Sequence, residues 1–381
     1  MAGDWWRISA TCLWALVACL AWRGAPAAEL RLFVSAFADG DDAAIQAGRF
    51  DPESGQLTWQ TRTTGVAHPF YLAISPNQKF LYSIHAPQFG GQEDELVAAY
   101  ALTGETGQLR LLNRQSARGT AACYLQVDAT GRSLLLANYL TGSVVSFPLR
   151  EDGALGEAAS FMQHAGSSIL PARQKGPHAH CFVVSPDNRL ALAADLGLDQ
   201  ILLYQLDAAT AQLRPHTPPF VRTLPGAGPR HLTFHPLKPR VYVINELANS
   251  VTHFDYVAAT GLLVERQTIS TLPADYTGTS HCADVRITPD GRFLYGTNRG
   301  HDSLACYRIT DEGRLELIEI VPSRGKGPQN LAITPDGRWL LCANMPGNNV
   351  ATFRIDSGSG KLQPQGEPLS IPSPSCIVLL K

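Results

Sequence analysis

Six segments of this 381-residue chain repeat one pattern at intervals near fifty residues, and that repeat limits the possible folds more than any other feature. The segments are 68–86, 121–139, 178–196, 228–246, 281–299 and 327–345. Each opens with a short alternating stretch, such as Tyr71-Leu72-Ala73-Ile74 or Asn330-Leu331-Ala332-Ile333. A turn follows: Ser75-Pro76-Asn77, Asp128-Ala129-Thr130-Gly131, Ser185-Pro186-Asp187-Asn188, His235-Pro236, Thr288-Pro289-Asp290-Gly291 and Thr334-Pro335-Asp336-Gly337. Proline presets φ and Asn, Asp or Gly accepts left-handed geometry, so these are turns with a physical cause. A second apolar stretch comes next (Trp339-Leu340-Leu341), then a third (Gln200-Ile201-Leu202-Leu203-Tyr204), then a polar turn into Gly-x-Leu, as in Gly313-Arg314-Leu315. The turn prolines, with Ala129 standing in once, lie 53, 57, 50, 53 and 46 residues apart. Four short antiparallel strands repeated radially define a β-propeller blade. Helical solenoids of this period require 3.6-residue patterning, which is missing here.

The two ends supply one further blade. Ser373 to Leu380 reads as an innermost strand with nothing after it, and Leu30 to Ser35 as a second strand with no innermost strand before it. Together they complete a seventh blade and close the ring, which leaves only short, protected edges. The expectation is an all-β, seven-bladed β-propeller over 28–381, preceded by a separate segment over 1–27. In that segment Arg7 precedes an apolar run from Ile8 to Trp22, and Ala25-Pro26-Ala27 supplies a small-residue cleavage site, the pattern of a secretory signal peptide. The run is shorter than the ~20 residues a spanning helix needs. Leu16-Val17-Ala18-Cys19 also resembles a lipobox, the alternative in which a lipidated Cys19 anchors the protein to a membrane. Export, periplasmic or secreted, is expected in either case. Six cysteines remain beyond the leader, widely spaced and mostly in apolar strands, and read as buried free thiols rather than a disulfide framework. Lys plus Arg (31) nearly balances Asp plus Glu (33), which excludes a strongly basic nucleic-acid binder and an acidic disordered tail.

Aligned on the turn, the blades locate a site. Nine residues past the turn proline stand His85, Asn138, Asp195, Asn245, Asn298 and Asn344, and one step further Tyr139, Glu246, Arg299 and Met345. The innermost strands begin at positions that include His68, His178, His180, Arg230, His231, His281, Asp284 and Asn330. Adjacent antiparallel strands put the start of one and the end of the next at the same rim, so these groups should meet at one mouth of the central channel. The competing reading makes Asn138, Asn298 and Asn344 turn-formers and any single histidine structural. Arg286 is harder to dismiss, because the other blades carry Ala73, Gln126, Val183, Thr233 and Ala332 at its position. A channel-lining arginine needs a partner, and Glu246 is the nearest in kind.

The segments Gly176-Pro177-His178-Ala179-His180, Gly228-Pro229-Arg230-His231-Leu232, Asn245-Glu246-Leu247 and Asp284 through Arg299 resemble the seven-bladed lactonase family. That family includes the propeller-type 6-phosphogluconolactonases and a muconate-lactonising cyclase. The resemblance covers essentially the whole chain after the leader and implies lactone chemistry with no cofactor and a small-molecule lactone as partner. It also implies a catalytic His, Glu and two Arg. By motif these match His180, Glu246, Arg230 and Arg286, with Arg299 the alternative second arginine. His178, Asp195, His231, His281, Asn298 and Arg299 are the candidate substrate contacts. Glu246 or His180 would take a proton from water, and Arg230 and Arg286 would hold the oxyanion. No G-x-S-x-G motif points to an acyl-enzyme. The exported leader departs from an enzyme of a cytoplasmic phosphate ester and points to an unphosphorylated sugar lactone. Three alternatives stand beside this reading: a metal-dependent lactonase using His178, His180, His231 and His281; a lactonising cyclase; and a non-catalytic propeller that binds a glycan or an envelope protein.

Overall fold

A computed structural model describes residues 29–380, so the expected leader and Cys19 lie outside the described residues. Seven four-stranded antiparallel sheets form the structure. Blade 1 pairs the C-terminal strand Pro374–Leu379 with Leu30–Ala36, followed by Ala44–Phe50 and Leu57–Thr63. Blades 2 to 7 follow in chain order, with innermost strands Leu72–Ile74, Ala122–Val127, Ala179–Val184, Pro229–Phe234, His281–Ile287 and Pro328–Ile333. Each innermost strand packs against the next, and Pro374–Leu379 touches both Pro328–Ile333 and Leu72–Ile74, so the circle closes. The shared blade therefore joins the two ends as the sequence required. Among the described residues the only helical element is one 3-10 turn, Gly40–Asp42, and no helix is long and apolar enough to cross a membrane.

The repeated turn explains the repeated strand pair. In Thr288-Pro289-Asp290-Gly291 the Thr288 hydroxyl donates to Asp290 Oδ1 at 2.6 Å and accepts from the Phe293 amide at 3.1 Å. Gly291 takes φ of 76°, a conformation that an L side chain resists. Thr334 and Asp336 make the same contact at 2.6 Å. Blades are riveted to each other by another repeated bond. The hydroxyls of Tyr82, Tyr242 and Tyr295 donate to the carbonyls of Gly153, Gly313 and Gly360, each in the following blade, at 3.1, 2.8 and 2.9 Å. Between the sheets lies an apolar core that includes Leu72, Val285 and Leu331, each about 1% exposed. Cys123, Cys181, Cys282, Cys306, Cys342 and Cys376 are all buried and unpaired.

One irregularity recurs where the function was expected. The register of the innermost strand slips by one residue between Ala122 and Tyr124, Ala179 and Cys181, Pro229 and His231, and Pro328 and Asn330. A bulge leaves the extra residue unpaired and re-aims its side chain. The four extra residues are Cys123, His180, Arg230 and Gln329. In blade 6 the slip falls between Cys282 and Val285, where Ala283 and Asp284 together stand opposite Thr297.

Candidate active site

Glu246 follows the second strand of blade 5 and is 5% exposed. Three guanidinium groups surround its carboxylate. Arg173 Nη2 donates to Oε1 at 2.6 Å, while Arg230 Nε and Arg299 Nη2 donate to Oε2 at 3.0 and 2.7 Å. Burial alone would raise the Glu246 pKa, but Arg299, Arg230 and Arg173 outweigh it and bring it down to about 2. One carboxylate among three arginines leaves a formal charge of +2 at this spot. Arg230 is itself 1% exposed, an unusual place for a guanidinium, and its Nη1 donates to the Ala283 carbonyl at 2.6 Å and to His231 Nε2 at 3.2 Å.

Imidazoles stand beside this cluster. His180, on its bulge, lies with its ring 5.3 Å from that of His231 and 5.4 Å from that of Tyr139. Burial, then Arg230 and His231, hold its pKa well below the usual value, so it is neutral at pH 7. Its Nδ1 is 3.6 Å from Cys123 Sγ. Burial pushes that thiol's pKa up, so the pair is not a thiolate–imidazolium nucleophile. His178 stacks on Tyr139 at 4.5 Å and places Nδ1 3.0 Å from the Tyr139 carbonyl. His281 shares the cavity with Glu246 and Arg299, burial lowers its pKa, and its Nδ1 is buried without a partner. That cavity, about 590 Å³, is also lined by Gln329, Lys326 and Met345.

Of the ten residues singled out from the sequence, His178, His180, Arg230, His231, Glu246, His281 and Arg299 come together here. Asp195 and Asn298 turn inward instead. Asp195 accepts from the His178, Gly197 and Leu198 amides at 2.7, 3.0 and 3.2 Å and pairs with His164 at 2.6 Å. Asn298 donates to the Thr271 carbonyl and the Ser303 hydroxyl at 2.8 and 3.1 Å. Both are fully buried and shape the rim without facing the cavity. Arg286 stands near the other end of its strand, four residues beyond Cys282, or roughly 13 Å at the ordinary strand rise. It lines a different cavity with Tyr71, Tyr124 and Gln126. Its partner is Asp284 at 3.1 Å, not Glu246. Arg299 occupies the place beside Glu246 that the sequence left between the two. Arg173, Gln329 and Asp284 complete the cluster, and no repeated position marks Arg173. The available signal was the long connection between Ser160–Gln163 and Ala179–Val184, which far exceeds the usual handful of residues.

The imidazoles do not form a metal cage: among the described residues no group of three or more His, Cys, Asp or Glu side chains is placed to hold an ion. The fold and the site together define a seven-bladed propeller in which the buried rings of His180 and His231 stand beside a carboxylate held by three arginines. The chain belongs to the seven-bladed β-propeller lactonase family, whose model matches residues 31–379. It is 33% identical to a 6-phosphogluconolactonase of Bacillus subtilis over 350 residues, 91% of this chain and 97% of that protein. A 6-phosphogluconolactonase of Formosa agariphila is 32% identical over 307 residues, 79% of this chain and 85% of that protein. Among solved structures, a periplasmic gluconolactonase of Pseudomonas aeruginosa superimposes with a TM-score of 0.87 at 29% identity, covering 93% of this chain and 99% of that one.

Proposed function

We infer that this protein is an exported lactonase that hydrolyses an unphosphorylated sugar-type lactone at the Glu246 mouth. The observation that carries the reading is the group of three arginines on Glu246, beside neutral His180, in a family of lactonases. Lactone hydrolysis adds water to an ester carbonyl, builds negative charge on its oxygen and ends as a hydroxy acid. Preorganised cations lower the barrier to that charge, and they count for most where water is excluded. Arg173 and Arg299 are the partly exposed members of the trio and meet the substrate, while buried Arg230 backs them.

The division of roles follows from ionisation. A carboxylate whose pKa lies near 2 and which already accepts from three guanidiniums is a poor proton acceptor at pH 7. Glu246 therefore acts as the counter-ion that holds the arginines in place. His180, neutral and beside the cluster, is the base that takes the proton from the attacking water, and its imidazolium is stabilised as negative charge develops on the lactone. His281, which lines the cavity with Glu246 and Arg299, is placed to meet a sugar hydroxyl. Arg286, on the other cavity, takes no part in this contact set.

The leader and the periplasmic gluconolactonase relative both favour a substrate met outside the cytoplasm, where a sugar lactone without phosphate is the simpler partner. The test is acid release in a pH-stat by the mature chain against a panel of aldonolactones, with glucono-1,5-lactone and its 6-phosphate side by side. Turnover favouring the unphosphorylated lactone is expected. Turnover of the phosphate alone would reverse the substrate assignment, and no turnover of any lactone would leave the binding-propeller alternative.

A further inference from the structure

Arg230 is buried and its guanidinium can only donate hydrogen bonds. Its Nη1 lies 3.2 Å from His231 Nε2, so that ring nitrogen must present a lone pair. The ring's one proton is then on Nδ1, which lies 2.8 Å from Asp284 Oδ1. Asp284 accepts four further bonds. The Val285 amide donates to Oδ1 at 3.0 Å, and Arg286 Nε, Asn330 Nδ2 and the Leu331 amide donate to Oδ2 at 3.1, 2.8 and 2.9 Å. A carboxylate surrounded by five donors stays ionised and accepts only. Each contact in the line Arg286–Asp284–His231–Arg230–Glu246 therefore has one allowed donor and one allowed acceptor.

We propose that Asp284 and His231 are positioning residues for the active site: Asp284 locks His231 in its Nδ1-protonated form, and His231 thereby holds Arg230 against Glu246. The proposal rests on the lactonase reading for its kinetic consequence but not for its geometry. It also accounts for Arg286, whose guanidinium is the counter-ion of Asp284. Burial and Arg230 lower the His231 pKa to about 4, which agrees with a neutral ring. The groups facing that ring are Arg230 on its own strand and, from other segments, His180, Tyr71, Tyr124 and Asp284, with the charge of Arg286 behind Asp284.

Asp284→Asn makes the decisive perturbation. Its single amide oxygen satisfies either the three donors at the Oδ2 position or the two at the Oδ1 position. Facing the three, it turns an NH2 toward His231 Nδ1, the ring proton moves to Nε2, and Nε2–H then meets an Arg230 N–H. Displacing Arg230 loosens the Glu246 contact that sets the substrate-facing arginines, and costs about 10²-fold in kcat, the lower end of the loss for removing an oxyanion donor outright. The experiment measures the imidazole nitrogens by 15N-labelled NMR on the mature chain, assigned by the signals that vanish in His231→Gln, together with kcat and KM on glucono-1,5-lactone. The wild type should carry its proton on Nδ1. Asp284→Asn should carry it on Nε2, with kcat reduced by that factor and KM within about threefold. His231→Gln keeps one donor and one acceptor on a single amide, so it should retain more activity than His231→Leu and tests the idea even where Asp284→Asn fails to fold. A wild-type ring protonated on Nε2 would overturn the lock. So would an Asp284→Asn enzyme with full kcat, or equal losses in His231→Gln and His231→Leu. Should no lactone be turned over, the functional reading falls while the NMR result still decides the lock.

Discussion

Arg173 offers the sharpest test of how the mouth works, because it reaches Glu246 from a connecting loop and not from the blade framework. Its side chain is 35% exposed and its Nη2 lies 2.6 Å from Glu246 Oε1, with the Tyr139 hydroxyl at 3.4 Å. Arg173→Met keeps the aliphatic stem and removes the charge. A hydrogen bond to a charged group contributes about 1.5–3 kcal/mol when enclosed, and solvent screening at this exposure reduces that to about 1–2 kcal/mol. At 1.36 kcal/mol per tenfold, kcat/KM on a sugar lactone should fall about 5- to 30-fold. Thermal stability should hardly change, since the loop keeps its own tie through Gln174 Nε2 to the Leu196 carbonyl at 2.9 Å. The assay is steady-state pH-stat kinetics alongside a circular-dichroism melt. Unchanged kcat/KM would show that the loop arginine is a bystander. A large drop in melting temperature would show that the ion pair braces the fold instead of serving the reaction.

Two more predictions concern stability, and a third has been set out for Asp284. Buried His85 and His231 have their pKa lowered from 6.5 to about 4, in both cases mainly by burial. Between those values the unfolded chain binds more protons than the folded one, so stability is full above pH 6.5 and is lost as the pH falls toward 4. About 2.5 units at 1.36 kcal/mol each is on the order of 3 kcal/mol per ring. Urea midpoints measured from pH 7 to 4.5 should drop steeply, and less so in His85→Gln; a flat profile would contradict the assignment. Ending the chain after Pro372 removes the innermost strand of blade 1, including the Ile377 amide bond to Asn330 and the Ser375 hydroxyl bond to the Phe70 carbonyl, at 2.8 and 2.7 Å. Gel filtration should show the truncated chain aggregated or expanded. A truncated chain that elutes like the full one and keeps its melt would mean the ring does not need its closing strand.

The ring was legible because its signals are local and repeated. A tight turn at one matched position fixes a strand pair, in its full Thr-Pro-Asp-Gly form twice and in variants four times, and the six together fix the period. The shared blade was legible from strand order alone: a lone innermost strand at one end needs the three strands left over at the other. Within the site, Glu246, Arg230 and His180 could be found from their matched positions. Simple alternation could not show that His180, Arg230 and Gln329 are bulge residues, because a bulge shifts register without changing composition. The partner of Arg286 is hidden for a related reason: matched rim positions point across blades to Glu246, whereas Asp284 sits two residues away on the same strand. Arg173 belongs to no repeat, so no alignment of blades could reveal it. Asn298 and Asp195 carried a chemistry that suits both binding and turn-making, and the surrounding amides and carbonyls took them for the turn.

The central claim is that a lactone opens beside a carboxylate that holds three arginines in place. Acid release from glucono-1,5-lactone by the wild type and by Glu246→Gln, compared at equal concentration of folded protein, tests it most directly. Removing the only negative charge in the arginine group should abolish turnover while the β-sheet spectrum and the wild-type elution volume persist. Full activity in a folded Glu246→Gln protein would place the chemistry elsewhere on the ring.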